Sequence, residues 1–121
     1  MKLATGVDLI EIARIEEVVA RHGKHYLDRV FTPAELDYCG KRAESLAGRF
    51  AAKEAVAKAL GTGIGDVAWN EIEILGDEQH APTLVLHGAA QSKAQELGLM
   101  TWSVSISHSQ SHSIAFVVAS G

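Results

Sequence analysis

One cysteine, no long apolar run and no excess of positive charge remove several classes of protein at the outset. Cys39 stands alone, which rules out an internal disulfide framework and fits a reducing compartment. Read locally, it is a buried or half-buried thiol on a helix, since nothing beside it would activate it. No apolar stretch approaches the ~20 residues that span a bilayer. The first residues reach an acid, Asp8, too early for a signal peptide, so a cytoplasmic location is expected. The net charge is −4 with a pI near 5.8, a poor balance for binding nucleic acid. The six histidines form no H-E-x-x-H pattern, and with a single thiol this argues against zinc. A G-x-S-x-G elbow is missing as well, so the serines around His108 read as strand-face and turn residues. Repeats, low-complexity segments and linkers are absent too.

What remains is one domain, residues 1–121. Its 47% hydrophobic and 21% charged content is that of an ordinary globular chain, and a chain of this size hides roughly two-thirds of its unfolded surface. Residues 3–7 read as a short strand. Asp8 followed by Glu11 has capping-box spacing and predicts a helix start there. Ile12, Ile15, Val18, Val19 and His22 make one face of that helix, and Gly23 stops it. Thr32-Pro33-Ala34-Glu35 is a second start signal, for a helix to about Arg42. Ser45 is expected to cap a long helix that ends at Gly61. Strands are predicted over 71–74, 83–87, 102–108 and 113–119, with a short helix over 89–97 closed by Gly98. Strands and helices mix without a βαβ rhythm, which indicates an α+β fold with an antiparallel sheet.

The long helix carries the most information. Ala52, Val56 and Leu60, widened by Ala55 and Ala59, form an apolar face that docks it. Phe50, Glu54 and Lys58 line up on a separate row. An acid able to hold a hard cation, one turn from a lysine able to meet phosphate, points to phosphate chemistry. The same pair also reads as a solvated Glu→Lys contact worth a few tenths of a kcal/mol. Asp8 sits where a metal-binding carboxylate often sits, and equally where a cap does. His108 ends the Trp102, Val104, Ile106 side of its strand, as a packing residue or as a ligand. Gly61-Thr62-Gly63 follows its helix and lacks the Gly-Lys-Ser/Thr ending of a Walker loop, so it reads as a cap whose amides face a possible ligand. Residues 14–29 carry Arg14, Arg21, His22, Lys24, His25 and Arg29 against Glu16, Glu17 and Asp28. That local basic face suits a small acidic protein, or an ordinary solvated helix.

Three segments together resemble a known family. They are Gly6-Val7-Asp8-Leu9-Ile10-Glu11-Ile12-Ala13-Arg14, then Gly48-Arg49-Phe50-Ala51-Ala52-Lys53-Glu54-Ala55 with Lys58-Ala59-Leu60-Gly61-Thr62-Gly63, then Ser105-Ile106-Ser107-His108. These are similar to the signature blocks of bacterial holo-[acyl-carrier-protein] synthases, the short stand-alone 4′-phosphopantetheinyl transferases. The middle block is highly specific, and Phe31-Thr32-Pro33-Ala34-Glu35-Leu36 resembles the family's second-helix entry. One departure is His80-Ala81-Pro82, where a Gly-Lys-Pro-like turn is usual.

The resemblance implies a small antiparallel sheet packed with one long central helix and shorter helices. It implies transfer of the phosphopantetheine arm of coenzyme A to a serine of apo-acyl carrier protein, releasing adenosine 3′,5′-bisphosphate, as a step toward fatty acid biosynthesis. It further implies Mg²⁺ held by Asp8 and Glu54, and a homotrimer with active sites between subunits. Lys58 would neutralise or protonate the leaving phosphate. Arg49 and His108 would bind coenzyme A phosphates with help from Gly61, Thr62 and Gly63, while Arg14 and Arg21 would receive the acidic carrier protein. Two other readings use the same residues: a Mg²⁺-dependent pyrophosphate hydrolase, and a carrier-protein or coenzyme A binding module without catalysis.

Overall fold

The computed structural model describes residues 2–76 and 81–121; of the His80-Ala81-Pro82 departure, His80 lies outside the described residues. The chain opens with β1 (Leu3–Glu11), followed by α1 (Ile12–His22), α2 (Lys24–Val30), α3 (Pro33–Cys39) and the long α4 (Ala43–Leu60). A single 3₁₀ turn (Trp69–Glu71) leads into β2 (Ile72–Gly76) and β3 (Pro82–Leu86), then α5 (Gly88–Leu97), β4 (Thr101–His108) and β5 (His112–Ser120). Strands β1, β5 and β4 form one antiparallel sheet in that order, and β2 pairs with β3 in a second. The architecture is α+β, as expected.

Helix α4 organises the core because its side chains are small. Ala47, Ala51, Ala52, Ala55 and Ala57 are fully buried, and such short side chains let a helix lie close on a sheet. The closest approach is at Gly6 of β1. A Cβ there would stand 1.8 Å from the Ala55 carbonyl oxygen, a distance no side chain tolerates. Gly6→Ala is therefore expected to force β1 off α4, destabilising the fold by roughly 2–4 kcal/mol. A denaturant titration measures this.

Three expectations need correction. Asp8 does not cap a helix. It lies inside β1, opposite Ala115 of β5, and α1 begins after Glu11 with no side-chain cap. Nine ladder pairs to β5 outweigh one local cap, and the Asp8 carboxylate is thereby left for another use. Ser45 does not cap α4 either. The helix starts three residues earlier, after Arg42, again without a side-chain cap. The helix entered at Thr32 ends at Cys39 rather than Arg42, because Gly40 adopts φ 57° and turns the chain. The Thr32–Glu35 capping box itself is present. Helix α2, seven residues long, is too short to show periodicity and carried no sequence signal of its own.

The face of the sheet turned away from α4 is apolar and open. Leu3, Val7, Leu9, Ile114 and Phe116 alternate onto it, with Leu3 68% and Leu9 62% exposed.

Candidate active site

Position on α4 decides which side chains meet. Glu54 and Lys58, one turn apart, project from the helix toward β1. There the Lys58 ammonium donates to the Val7 carbonyl at 2.9 Å and to Asp8 Oδ1 at 3.2 Å. Glu54 is close enough to feel both charges. Burial first, then the Asp8 carboxylate, push the Glu54 carboxyl above its ordinary value, and Lys58 partly opposes them. Two hard oxygen donors on separate elements, repelling each other with only partial relief from Lys58, are the donor set that a small divalent cation prefers. No cluster of three or more His, Cys, Asp or Glu side chains forms among the described residues. That leaves an ion here to complete its shell with water and substrate oxygens, the habit of Mg²⁺.

The raised Glu54 pKa has a sign that can be checked. A carboxyl whose folded value lies above its unfolded value favours the protonated folded state, so ionised Glu54 costs stability at neutral pH. The cost vanishes as pH falls below 4.5, the ordinary value of this carboxyl. Glu54→Gln is thus expected to raise the melting temperature at pH 7 by about 2 °C, small because the group is only partly buried. Melting curves at pH 7 and pH 4 check this, the gain shrinking at the lower pH.

Asp8 and Glu54 line a cleft of about 230 Å³ together with Arg14, Ile15, Tyr26 and Phe50. Phe50, on the row of Glu54, stacks on Trp69 with centroids 4.8 Å apart, which fixes that wall. The Tyr26 hydroxyl is buried without a hydrogen-bond partner among the described residues, and burial raises its pKa to about 12. Sequence reasoning missed it, because it sits on the unrecognised α2. Arg14 belongs to this cleft. Arg21, further along α1, is solvent-exposed and pairs with Glu17 at 3.3 Å.

Arg49 and His108 meet in a second cavity of about 290 Å³, with Tyr38, Arg42 and Ser45 among its walls. The Arg49 guanidinium lies 4.3 Å over the Tyr38 ring, which holds it in place. Arg49 is only 7% exposed, yet its Nε has no partner among the described residues. A buried cation with an unused donor is ready to receive an anion. His108 is exposed, at the end of β4.

The glycine loop lies elsewhere. Gly61 closes α4 in the left-handed conformation, φ 73°, as its sequence predicts. The amides of Gly61, Thr62 and Gly63 donate back to the Lys58 and Ala57 carbonyls at 3.0, 3.2 and 3.4 Å. They are spent within the helix cap, and the expectation that they face a ligand is corrected accordingly. The Thr62 hydroxyl, unpartnered among the described residues, borders a third depression with Asp66 and Lys93.

Sequence reasoning also missed Lys53. It is completely buried, 2.7 Å from Glu35 Oε1, with further bonds to the Trp69 carbonyl at 3.0 Å and to the Ile72 carbonyl. Glu35 in turn accepts from the amides of Thr32 and Ile74, at 2.9 and 3.0 Å. This pair ties α4 to α3, the 3₁₀ turn and β2, immediately beside Glu54.

The fold and this acid–lysine cluster define a known class, and the chain belongs to the 4′-phosphopantetheinyl transferase superfamily, whose family model matches residues 4–117. A relative from Herpetosiphon aurantiacus, a holo-[acyl-carrier-protein] synthase, is 55% identical over 98% of this chain and 99% of its own length. The Helicobacter pylori holo-[acyl-carrier-protein] synthase, solved with coenzyme A, superposes with a TM-score of 0.88. It is 38% identical, covering 96% of this chain and 99% of that one. The Neisseria meningitidis holo-[acyl-carrier-protein] synthase also gives a TM-score of 0.88, at 37% identity over 98% of each chain.

Proposed function

We propose that this chain, as one domain over residues 1–121, transfers the 4′-phosphopantetheine arm of coenzyme A to a serine of an apo-acyl carrier protein. The reaction releases adenosine 3′,5′-bisphosphate and readies the carrier for fatty acid biosynthesis. The observation that carries this reading is the meeting of Asp8 and Glu54 at one cleft, with Lys58 paired to Asp8 and its charge reaching Glu54, on a chain of this family. Asp8 and Glu54 would hold Mg²⁺, which when bound offsets charge on the pyrophosphate of the substrate. Lys58 supplies a mobile positive charge to the departing phosphate as the serine oxygen forms its new bond to phosphorus. Arg49, with its unused Nε donor, and His108 receive coenzyme A phosphates. The Gly61, Thr62, Gly63 turn contributes through the Thr62 hydroxyl rather than through its amides. Arg14, at the mouth of the acid cleft, and Arg21 receive the acidic carrier protein.

The assembly is a homotrimer with its active sites between subunits. Two observations support this: the open apolar face of the β1–β5–β4 sheet, which a partner would cover, and the division of the site residues among separate clefts of one chain. Light scattering should return three times the 12.9 kDa of the chain. A cytoplasmic location is supported by the buried, unpaired Cys39. No helix among the described residues is long and apolar enough to cross a membrane.

Reversing both arginines, Arg14→Glu with Arg21→Glu, tests the carrier surface. The expected result is a KM for the carrier protein raised at least about tenfold with the KM for coenzyme A unchanged. A pyrophosphate hydrolase would be indifferent to the change, and an unaltered carrier KM would remove the docking assignment.

A further inference from the structure

The Lys58 ammonium is held against β1. It is seated on two oxygens of β1, the Val7 carbonyl at 2.9 Å and Asp8 Oδ1 at 3.2 Å. The Asp8 side chain is only 20% exposed, and the ammonium occupies one of its two carboxylate oxygens. Its charge also reaches Glu54. An ion held by Asp8 and Glu54 therefore enters a position where a cation already neutralises one of its ligands.

We propose that Lys58 is an internal counter-ion that competes with the metal for Asp8, so that metal and a phosphate-bearing substrate enter the site cooperatively. The inference rests on the assignment of Asp8 and Glu54 as metal ligands. Two cations on one carboxylate repel each other, strongly so near a partly buried group. The long, flexible lysine side chain, whose own side chain is 54% exposed, is the partner able to move. Once displaced, its ammonium needs an anion, and a pyrophosphate at the cleft mouth supplies one. Metal alone thus binds against the Asp8–Lys58 contact, whereas metal with substrate binds with a new lysine–phosphate contact in its place. By linkage, each of the two ligands raises the affinity of the other.

The test is direct binding of Mn²⁺, followed by electron paramagnetic resonance, with and without saturating coenzyme A, on the full chain in its native assembly. Lys58→Met is expected to bind Mn²⁺ alone about tenfold more tightly than the unaltered protein, and to lose most of the gain that coenzyme A confers. Arg14→Gln removes a cation of the cleft that forms no ion pair with Asp8 among the described residues. It is expected to change Mn²⁺ affinity less than about twofold. The proposal is overturned if Lys58→Met binds Mn²⁺ no more tightly than the original, or if Arg14→Gln matches it. Failure of the underlying assignment looks different: Asp8→Asn with Glu54→Gln would then leave Mn²⁺ binding intact in the presence of coenzyme A.

Discussion

Glu54→Ala and Asp8→Ala each lower the transfer rate at least ~100-fold while the chain stays folded. The size follows from what the two carboxylates are arranged to do. They stand on different elements, α4 and β1, and face one cleft. On their assignment as metal ligands, removing either would leave the ion with a single protein ligand. The fold tolerates both changes for separate reasons. Asp8 is held in β1 by its backbone pairing with Ala115, which an alanine keeps. Among the described residues Glu54 makes no hydrogen bond that secures α4, and its ionised form opposes stability through burial and through Asp8. Steady-state rates at saturating Mg²⁺ and coenzyme A, beside circular dichroism of each variant, decide the matter. Near-native turnover in both variants would remove the metal assignment.

Lys53→Met acts on stability instead. Its ammonium and the Glu35 carboxylate are both fully buried, and taking away one partner leaves an uncompensated charge in the core. Burial pulls the Lys53 ammonium below its ordinary value, and Glu35 opposes that pull. The carbonyls of Trp69 and Ile72 lose a donor as well. The expected cost is about 3–5 kcal/mol, a fall in melting temperature of roughly 10–20 °C. Glu35→Gln keeps one oxygen, enough for only one of the Thr32 and Ile74 amides that pair with separate carboxylate oxygens. It leaves the buried Lys53 unneutralised and is expected to lose a comparable amount. Thermal melts of the two variants check this, and a Lys53→Met protein that melts within ~2 °C of the original would show the pair to be dispensable.

The contrast between Glu54 and Lys53, neighbours in sequence, shows what was legible before the fold. Strand alternation over 102–108, the Thr32–Glu35 box and the left-handed Gly61 are local signals, and each is present where its residues lie. Asp8 and Glu11 carry the same kind of local signal, yet a register of nine residues against β5 overrides it. Nothing near Asp8 in sequence reports that pairing. Lys53 carries no local signal of its role, because its partner, Glu35, is eighteen positions away and already has a local role in the cap. The acid–lysine row on α4 was visible as spacing, but a Glu→Lys pair one turn apart is common on solvated helices. Only the family blocks, and then the contact between Lys58 and Asp8 across the fold, separate it from that background. Arg49 shows the same limit: its hold on the Tyr38 ring brings together α4 and α3, which no spacing rule connects.

The most direct test of the proposed function is intact mass spectrometry of purified apo-acyl carrier protein incubated with this protein, coenzyme A and Mg²⁺, beside an EDTA control. The expected result is a gain of one phosphopantetheine mass that EDTA abolishes. An unmodified carrier with coenzyme A consumed would contradict transfer in favour of hydrolysis, and an unmodified carrier with coenzyme A intact would contradict catalysis on this carrier altogether.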